Sequence, residues 1–358
     1  MKANNTLNID GTLIGPGYKT YFIADIAANH DGDLNRAKDL ICLAAEAGAD
    51  AAKFQHFQAE SIVSSEGFND LGTQLSHQSK WKKSVVEVYK EASVNLSWTQ
   101  ELKDTCVSVG IPFFTTPYSL EVIDKLDPFV PAYKIGSGDI TWRAMIEKIA
   151  KKNKPYFLAC GASYMDEVID AVSWALHLNP NLGLMQCNTN YTTDLSNFKY
   201  INLNVLNTFK DIFPNLVLGL SDHTPEHSTV LGAVSLGASM IEKHFTDDTS
   251  RSGPDHPFSM DPKNWKEMVK KTRELELALG NGIKKLEINE LETVIVQRRS
   301  LRARSSLKEG HIINESDFIP LRPCPSDAIS PSELNNIIGS TLLHEIKKGD
   351  YLKVKDIA

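Results

Sequence analysis

No stretch of the 358-residue chain approaches the roughly twenty consecutive apolar residues that a membrane-spanning helix needs. The opening MKANNTLNID lacks the basic-then-apolar order of a secretory signal. Cysteine is scarce. Cys42, Cys106, Cys160, Cys187 and Cys324 are odd in number, widely spaced and without a CxxC pair. That argues against a disulfide scaffold or a cysteine-rich zinc site, and for a reducing, cytoplasmic setting. Positive charge is not in excess either. A net charge of −7 gives no support to a nucleic-acid footprint, and no RNP or KH motif is present. There is no HExxH, no Walker ending after the glycine-rich pieces and no dinucleotide fingerprint, which removes the simplest zincin, P-loop and Rossmann readings.

What remains is ordinary globular material, 42% apolar and 23% charged, sufficient for a large core. From residue 20 to about 280, short β-rich runs alternate with segments whose apolar residues recur at three and four, such as NRAKDLICLAAEAGAD and DEVIDAVSWALHLN. The runs predict strands at 21–27, 52–57, 112–116, 132–135, 155–159, 182–186, 217–220 and 240–244. Eight strand–helix repeats over that length predict a closed (β/α)8 barrel, an α/β fold, in preference to an open doubly wound sheet. Residues 1–20 carry an Asp10–Gly11 turn that fits a short hairpin on the barrel floor. Residues 58–80, polar and rich in Ser and Gly, predict a long loop over the mouth. The helical repeats stop beyond Val296. The chain therefore divides into a barrel with its hairpin over 1–281, a linker over 282–296 and a compact β-rich module over 297–358.

Chemistry in such a barrel belongs at the C-terminal strand ends. The polar residues concentrated there are Asp25, Asn29 and His30; Lys53, Gln55 and His56; Lys134; Asn188, Asn190 and Tyr191; Ser221, Asp222 and His223; and Lys243 and His244, with Asp247 beyond. Lysines inside apolar strands need a paired anion. Lys53, Lys134 and Lys243 suit a phosphate or carboxylate, a Schiff base with a carbonyl substrate, or an outward, snorkelling position. His223 and His244 follow adjacent strands and suit either one divalent ion used as a Lewis acid or hydrogen bonds to Asp222 and Asp247. Gly136–Ser137–Gly138–Asp139 is an anion cradle or a tight βα turn. RSGPDH, 251–256, either holds a substrate hydroxyl through Asp255 or is a solvated turn. Cys160 and Cys187 read as buried structural thiols.

FIADIAANHDGDLNRAKDLICLAAEAGADAAKFQ, YKIGSGDITW, GLSDHT and IEKHFTDDTSRSGPDHPFSMDP resemble the bacterial sialic acid synthase family, and SLRARSSLKEGHII, LRP and IKKGDYL resemble its SAF, or antifreeze-like, domain. The resemblance covers almost the whole chain. It implies a TIM barrel followed by a β-clip SAF domain, and condensation of phosphoenolpyruvate with an N-acetylated amino-sugar aldehyde, such as N-acetylmannosamine, to a nonulosonic acid and phosphate. It further implies that His223 and His244 hold Mn2+ or Mg2+, and that Lys53, Gln55, Lys134 and Ser221 surround phosphoenolpyruvate. Tyr191 and Asp255, with Asn188 or Asn190, would meet the sugar. Asp25 would assist a water, and Arg322 would reach the other subunit's site in a domain-swapped homodimer. The sequence departs from the family pattern at Asp25 (usually Glu), Thr189 (usually Asn), Thr249 (usually Arg) and Cys324 (usually Gly). The rival readings are a Schiff-base pyruvate aldolase on Lys134 or Lys243, and a non-catalytic barrel with a partner- or glycan-binding tail.

Overall fold

The computed structural model describes residues 3–358. The chain divides into two compact units, one ending at Gly280 and the other running Asn281–Ala358. In the first unit the hairpin is present. β1 (Leu7–Ile9) and β2 (Thr12–Ile14) pair antiparallel, and Asp10 and Gly11 turn the chain at φ +47° and +87°. Two successive positive-φ residues give the turn the twist that a two-residue hairpin requires.

Eight parallel strands follow and close into a barrel: β3 (Tyr21–Asp25), β4 (Ala51–His56), β5 (Phe113–Pro117), β6 (Tyr133–Ile135), β7 (Tyr156–Ala159), β8 (Leu182–Cys187), β9 (Val217–Asp222) and β10 (Met240–His244). β10 lies between β9 and β3, so the last strand completes the ring against the first. The intervening helices bury one stripe each. Helix Leu34–Glu46 starts where the Asp33 side chain accepts from the backbone amides of Asn35 and Arg36, and it buries Ala37, Leu40, Ile41 and Ala44 at helical spacing.

The interior of the barrel is stratified. At the end nearest the hairpin, Leu7, Ile9 and Ile14 join Tyr21, Ile23, Phe114, Phe157, Val217 and Met240 in one apolar cluster. Gly183 and Gly219 face this layer because Met240 occupies the space their side chains would take. A Cβ on Gly219 would lie 2.5 Å from Met240 Cγ and 2.7 Å from its carbonyl oxygen. Large and small residues thus interlock to fill the floor.

The segment over 58–80 departs from the loop expected of it. It contains helices Ala59–Ile62 and Ser65–Asp70 and a 3-10 turn Ser76–Lys80, and it leads into helix Val85–Ala92. Pieces of four to six residues are too short to be stable by propensity alone, and polar composition hid them.

In the second unit, Leu301, Phe318, Ile329, Leu342 and Leu352 belong to a separate core. β11 (Ser300–Ala303) and β12 (Phe318–Leu321) pair antiparallel, and single bridges such as Leu307–Ile346 and Ile312–Thr341 tie the remaining extended pieces. The stretch expected as a linker falls within this unit; its first residues are irregular, and its later part forms a 3-10 turn, Ile288–Glu290, and a helix, Leu291–Gln297.

Candidate active site

The pleat decides which side chains enter the barrel mouth. Successive residues of a strand alternate sides, so Lys53 and Gln55 of β4, Ser221 of β9 with His223 just beyond it, and Glu242 and His244 of β10 face one cavity of about 340 Å³. Asp25, Lys134 and Tyr191 also line it.

Lys53 and Lys134 are buried here, and each has found an anion. Lys53 Nζ donates to Asp25 Oδ2 at 2.6 Å and to Thr116 Oγ1 at 3.2 Å. Lys134 Nζ donates to Glu242 Oε1 at 2.6 Å, and the same oxygen lies 3.7 Å from Lys53 Nζ. Glu242 therefore stands between the two ammonium groups, with Ser221 Oγ donating to it at 3.3 Å and its Oε2 left without a partner. Gln55 Nε2 donates to Asp25 Oδ2 at 2.9 Å. Burial alone would raise the Asp25 carboxyl, but the Lys53 ammonium outweighs it and holds the group below its usual range. Asp139 lines the same cavity. Its Oδ2 has no hydrogen-bond partner, and burial pushes its pKa up to about 6.

The two imidazoles meet above this charged layer, with ring centroids 5.3 Å apart. His223 Nδ1 lies 2.9 Å from the Asn188 carbonyl, which can only accept, so in the neutral ring the lone pair resides on Nε2. His244 lies between two carboxylates, with Nε2 3.7 Å from Asp25 Oδ2 and Nδ1 3.6 Å from Asp255 Oδ2. Burial drives its pKa down to about 3 despite Asp25, and Nδ1 makes no hydrogen bond. Among the described residues no three His, Cys, Asp or Glu side chains converge as a ready metal cage. The donors present, two imidazoles with water or substrate completing the shell, fit a weakly held borderline divalent ion.

Other residues are disposed differently from expectation. Lys243 points outward, where it is buried and donates to Asp222 Oδ2 at 2.5 Å and to the Thr224 carbonyl at 2.6 Å. Asp222 also accepts from Thr224 and Thr229. Neither residue is in the cavity, and Lys243 is thereby removed as a Schiff-base candidate. Asp247 binds Arg36 and Arg251 rather than a histidine. The Asn188 amide donates to the Tyr200 carbonyl and that of Asn190 to Asn197, while Thr189, between them, lines the cavity. β8 ends at Cys187, so strand alternation no longer ruled these positions. Asp255 accepts from the Ala28 amide at 3.1 Å, and burial lifts its pKa to about 6. Cys187, read as merely structural, lines the cavity beside His223. Arg322 is exposed just after β12 in the second unit.

Glu242 and Asp139 were not singled out as site residues from the sequence. For Glu242 the signal was available: if His244 faces inward, the residue two places earlier does too. Asp139 entered only as the last residue of the Gly136–Asp139 cradle or turn.

A closed parallel barrel with its polar side chains gathered at the C-terminal mouth has the architecture of a barrel enzyme. Residues 40–284 match the NeuB family and residues 298–358 the SAF domain. The N,N'-diacetyllegionaminic acid synthase of Legionella pneumophila is 36% identical over 344 residues, covering 94% of both chains. The N-acetylneuraminate-9-phosphate synthase of Homo sapiens is 31% identical, covering 96% of this chain and 94% of its own length. A crystal structure of N-acetylneuraminic acid synthetase from Leptospira borgpetersenii, in complex with citrate, superposes with a TM-score of 0.71 at 28% identity, over 82% of this chain and 96% of that one. The chain belongs to the NeuB family and carries a C-terminal SAF domain; it is an enzyme, a synthase of the sialic acid synthase kind. None of its described helices is long and apolar enough to cross a membrane.

Proposed function

We propose that the protein condenses phosphoenolpyruvate with an N-acetylated amino-sugar aldehyde and water, giving a nonulosonic acid and inorganic phosphate. One observation carries the reading: two buried lysines share Glu242 at the base of a cavity whose upper wall is a pair of facing imidazoles. A three-carbon phosphate ester with a carboxylate needs preplaced cations, and Lys53 and Lys134 supply them where bulk water is scarce. The names and lengths of the relatives support the same class.

Carbon three of phosphoenolpyruvate attacks the aldehyde carbon, and the aldehyde oxygen takes a proton. Water adds to the electron-poor carbon two, and the resulting adduct collapses with release of phosphate. Lys53 and Lys134 orient the ester and offset the charge that gathers on the departing phosphate. Asp25, held as a carboxylate by Lys53, is the base that takes the proton of the attacking water. Asp255 and Tyr191 hold the sugar beside His244. A divalent ion, Mn2+ or Mg2+, on His223 and His244 would supply Lewis acidity at the acceptor carbonyl.

The same reading includes a domain-swapped homodimer. Among the described residues no arginine lines the cavity, and both lysines are already committed to carboxylates. A guanidinium from the other copy, Arg322, would supply the missing cation and a bidentate clamp. A cytoplasmic location is supported by five cysteines that form no disulfide.

The test is phosphate release from phosphoenolpyruvate with a panel of N-acetylated amino-sugars, with and without Mn2+ after chelation. Release should require both sugar and metal. Turnover of pyruvate that survives chelator and is trapped by borohydride would instead establish a lysine aldolase.

A further inference from the structure

The run RRSLRAR, 298–304, opens the second unit's sheet, and the function proposed above uses none of its arginines. Ser300 and Arg302, two apart, share a face of β11 and reach one acceptor. The Pro323 carbonyl receives Ser300 Oγ at 2.8 Å and Arg302 Nη2 at 3.1 Å. Nη1 of the same guanidinium donates to the Gly349 carbonyl at 3.0 Å, so Arg302 ties the turn after β12 to the one before Tyr351. The Tyr351 ring flanks it at 5.5 Å and is itself held, its hydroxyl donating to Asp327 at 3.0 Å. Two more bonds fasten the turn's ends: Arg299 Nη1 donates to the Pro320 carbonyl at 3.0 Å, and the Cys324 amide to the Ile295 carbonyl at 2.8 Å. Between them Arg322 is exposed and, among the described residues, makes no hydrogen bond or ion pair.

Resting on the domain-swapped reading above, we propose that Arg302 is a positioning residue: with Ser300 it fixes the turn that presents Arg322 to the other copy's cavity. The backbone around Arg322 is anchored at Pro320, Pro323 and Cys324, while its side chain is left free for a ligand. An arginine that must find its place from a mobile turn loses entropy each time it binds. A fixed turn removes much of that cost. Arg302 suits the task because a planar fork bridges two carbonyls at once, which a lysine ammonium on a flexible stem does less well. Its partners matter too. Carbonyls, unlike carboxylates, leave a guanidinium's charge uncancelled, and among the described residues none of Arg299, Arg302, Arg304 and Arg322 pairs with an acid. The turn therefore carries a positive field that favours the anionic substrate, phosphoenolpyruvate.

Phosphate-release kinetics of full-chain variants test this. Arg302→Met removes both donors and should raise the KM for phosphoenolpyruvate about tenfold, because only a fraction of the turns then present Arg322 correctly. We expect kcat to stay within about twofold and the KM for the sugar to be unchanged. Arg302→Lys should limit the rise to about threefold. In an Arg322→Met background, itself down about a hundredfold in kcat/KM, Arg302→Met should add less than about twofold. Fully additive losses would make Arg302 merely structural and overturn the proposal. Should Arg302→Met not fold, Ser300→Ala should show the same split at about threefold, and an unchanged KM there would overturn the proposal. Mixed dimers separate this inference from the reading beneath it. An Asp25→Asn chain co-expressed with an Arg322→Met or an Arg302→Met chain should in each case give about a quarter of normal turnover at low phosphoenolpyruvate, since a mixed dimer joins one sound barrel to one sound tail. Recovery with Arg322→Met alone would overturn the positioning role and leave the clamp standing. Recovery with neither would overturn the swapped clamp and this inference together. An unmodified chain that releases no phosphate with any sugar would overturn the condensation reading, and this inference with it.

Discussion

The two ends of the barrel interior are built from the same strands and have opposite chemistry. Along β10, Met240 fills the apolar floor, Glu242 lies between two ammonium groups and His244 faces His223. Along β3 the inward sequence is Tyr21, Ile23, Asp25. Depth, not strand identity, determines whether a position serves stability or reactivity. Among the described residues the apolar floor holds no buried side-chain polar atom without a hydrogen bond, while the lining of the charged cavity retains three: Glu242 Oε2, Asp139 Oδ2 and His244 Nδ1. Unsatisfied buried groups are costly in a core and useful where a ligand will complete them.

Substitutions should separate the two layers. The largest effect is expected at Lys134→Met, which should lower kcat/KM by at least about a thousandfold and destabilise the fold by about 3–5 kcal/mol, because Glu242 loses its nearest cation. Adding Glu242→Gln should recover much of the stability, read by urea unfolding, and none of the activity. Recovery of activity would mean that the lysine serves only its ion pair.

Phe157→Ala in the floor should be the converse, costing about 3–5 kcal/mol of stability while the folded fraction keeps its kcat. Lys243→Met tests the pleat itself. The outward lysine neutralises Asp222, so its loss should destabilise by about 3 kcal/mol without touching turnover. A collapse of kcat in folded protein would return Lys243 to the active site.

The gentlest perturbation is a change of pH. Burial holds His56 near pKa 3 and His30 near 4, against about 6.5 when unfolded. Above pH 6.5 neither state binds the extra protons, and this contribution to stability is complete. Between 6.5 and 4 only the unfolded state binds them, so each histidine should remove up to about 1.4 kcal/mol per pH unit. Urea midpoints at pH 7 and pH 5 should differ accordingly, and replacing His56 with Gln should halve the difference.

The barrel was legible because its repeats are regular and each helix shows a clear stripe. Six of the cavity residues, Asp25, Lys53, Gln55, Lys134, His223 and His244, were legible because they stand at strand ends in otherwise apolar runs. Glu242 and Lys243 show the limit of reasoning by charge: the lysine attracted notice although the pleat turns it away and turns its neighbour in. Of the smaller cavity beside the charged one, the sequence showed Gln55, Tyr191, His244 and Asp255 but not the aromatic wall of Phe57, Trp81, Tyr89 and Tyr118. Its walls come from Ala28, from residues 57–92, and from Tyr118, Tyr191 and Pro254, segments that meet only in three dimensions. Composition marked much of that stretch as loop, although tertiary contacts hold it as short helices.

Asp25 stands at the seam of the ring, with His244 in register on one side and Lys53 on the other. The second of these neighbours is among the earliest barrel residues to be synthesised after it, and the first is among the last. A partly made chain thus owns the carboxylate and its lysine but cannot assemble the reactive centre until the circle shuts. Competence and closure arrive together, and a nascent or clipped barrel is chemically silent by construction.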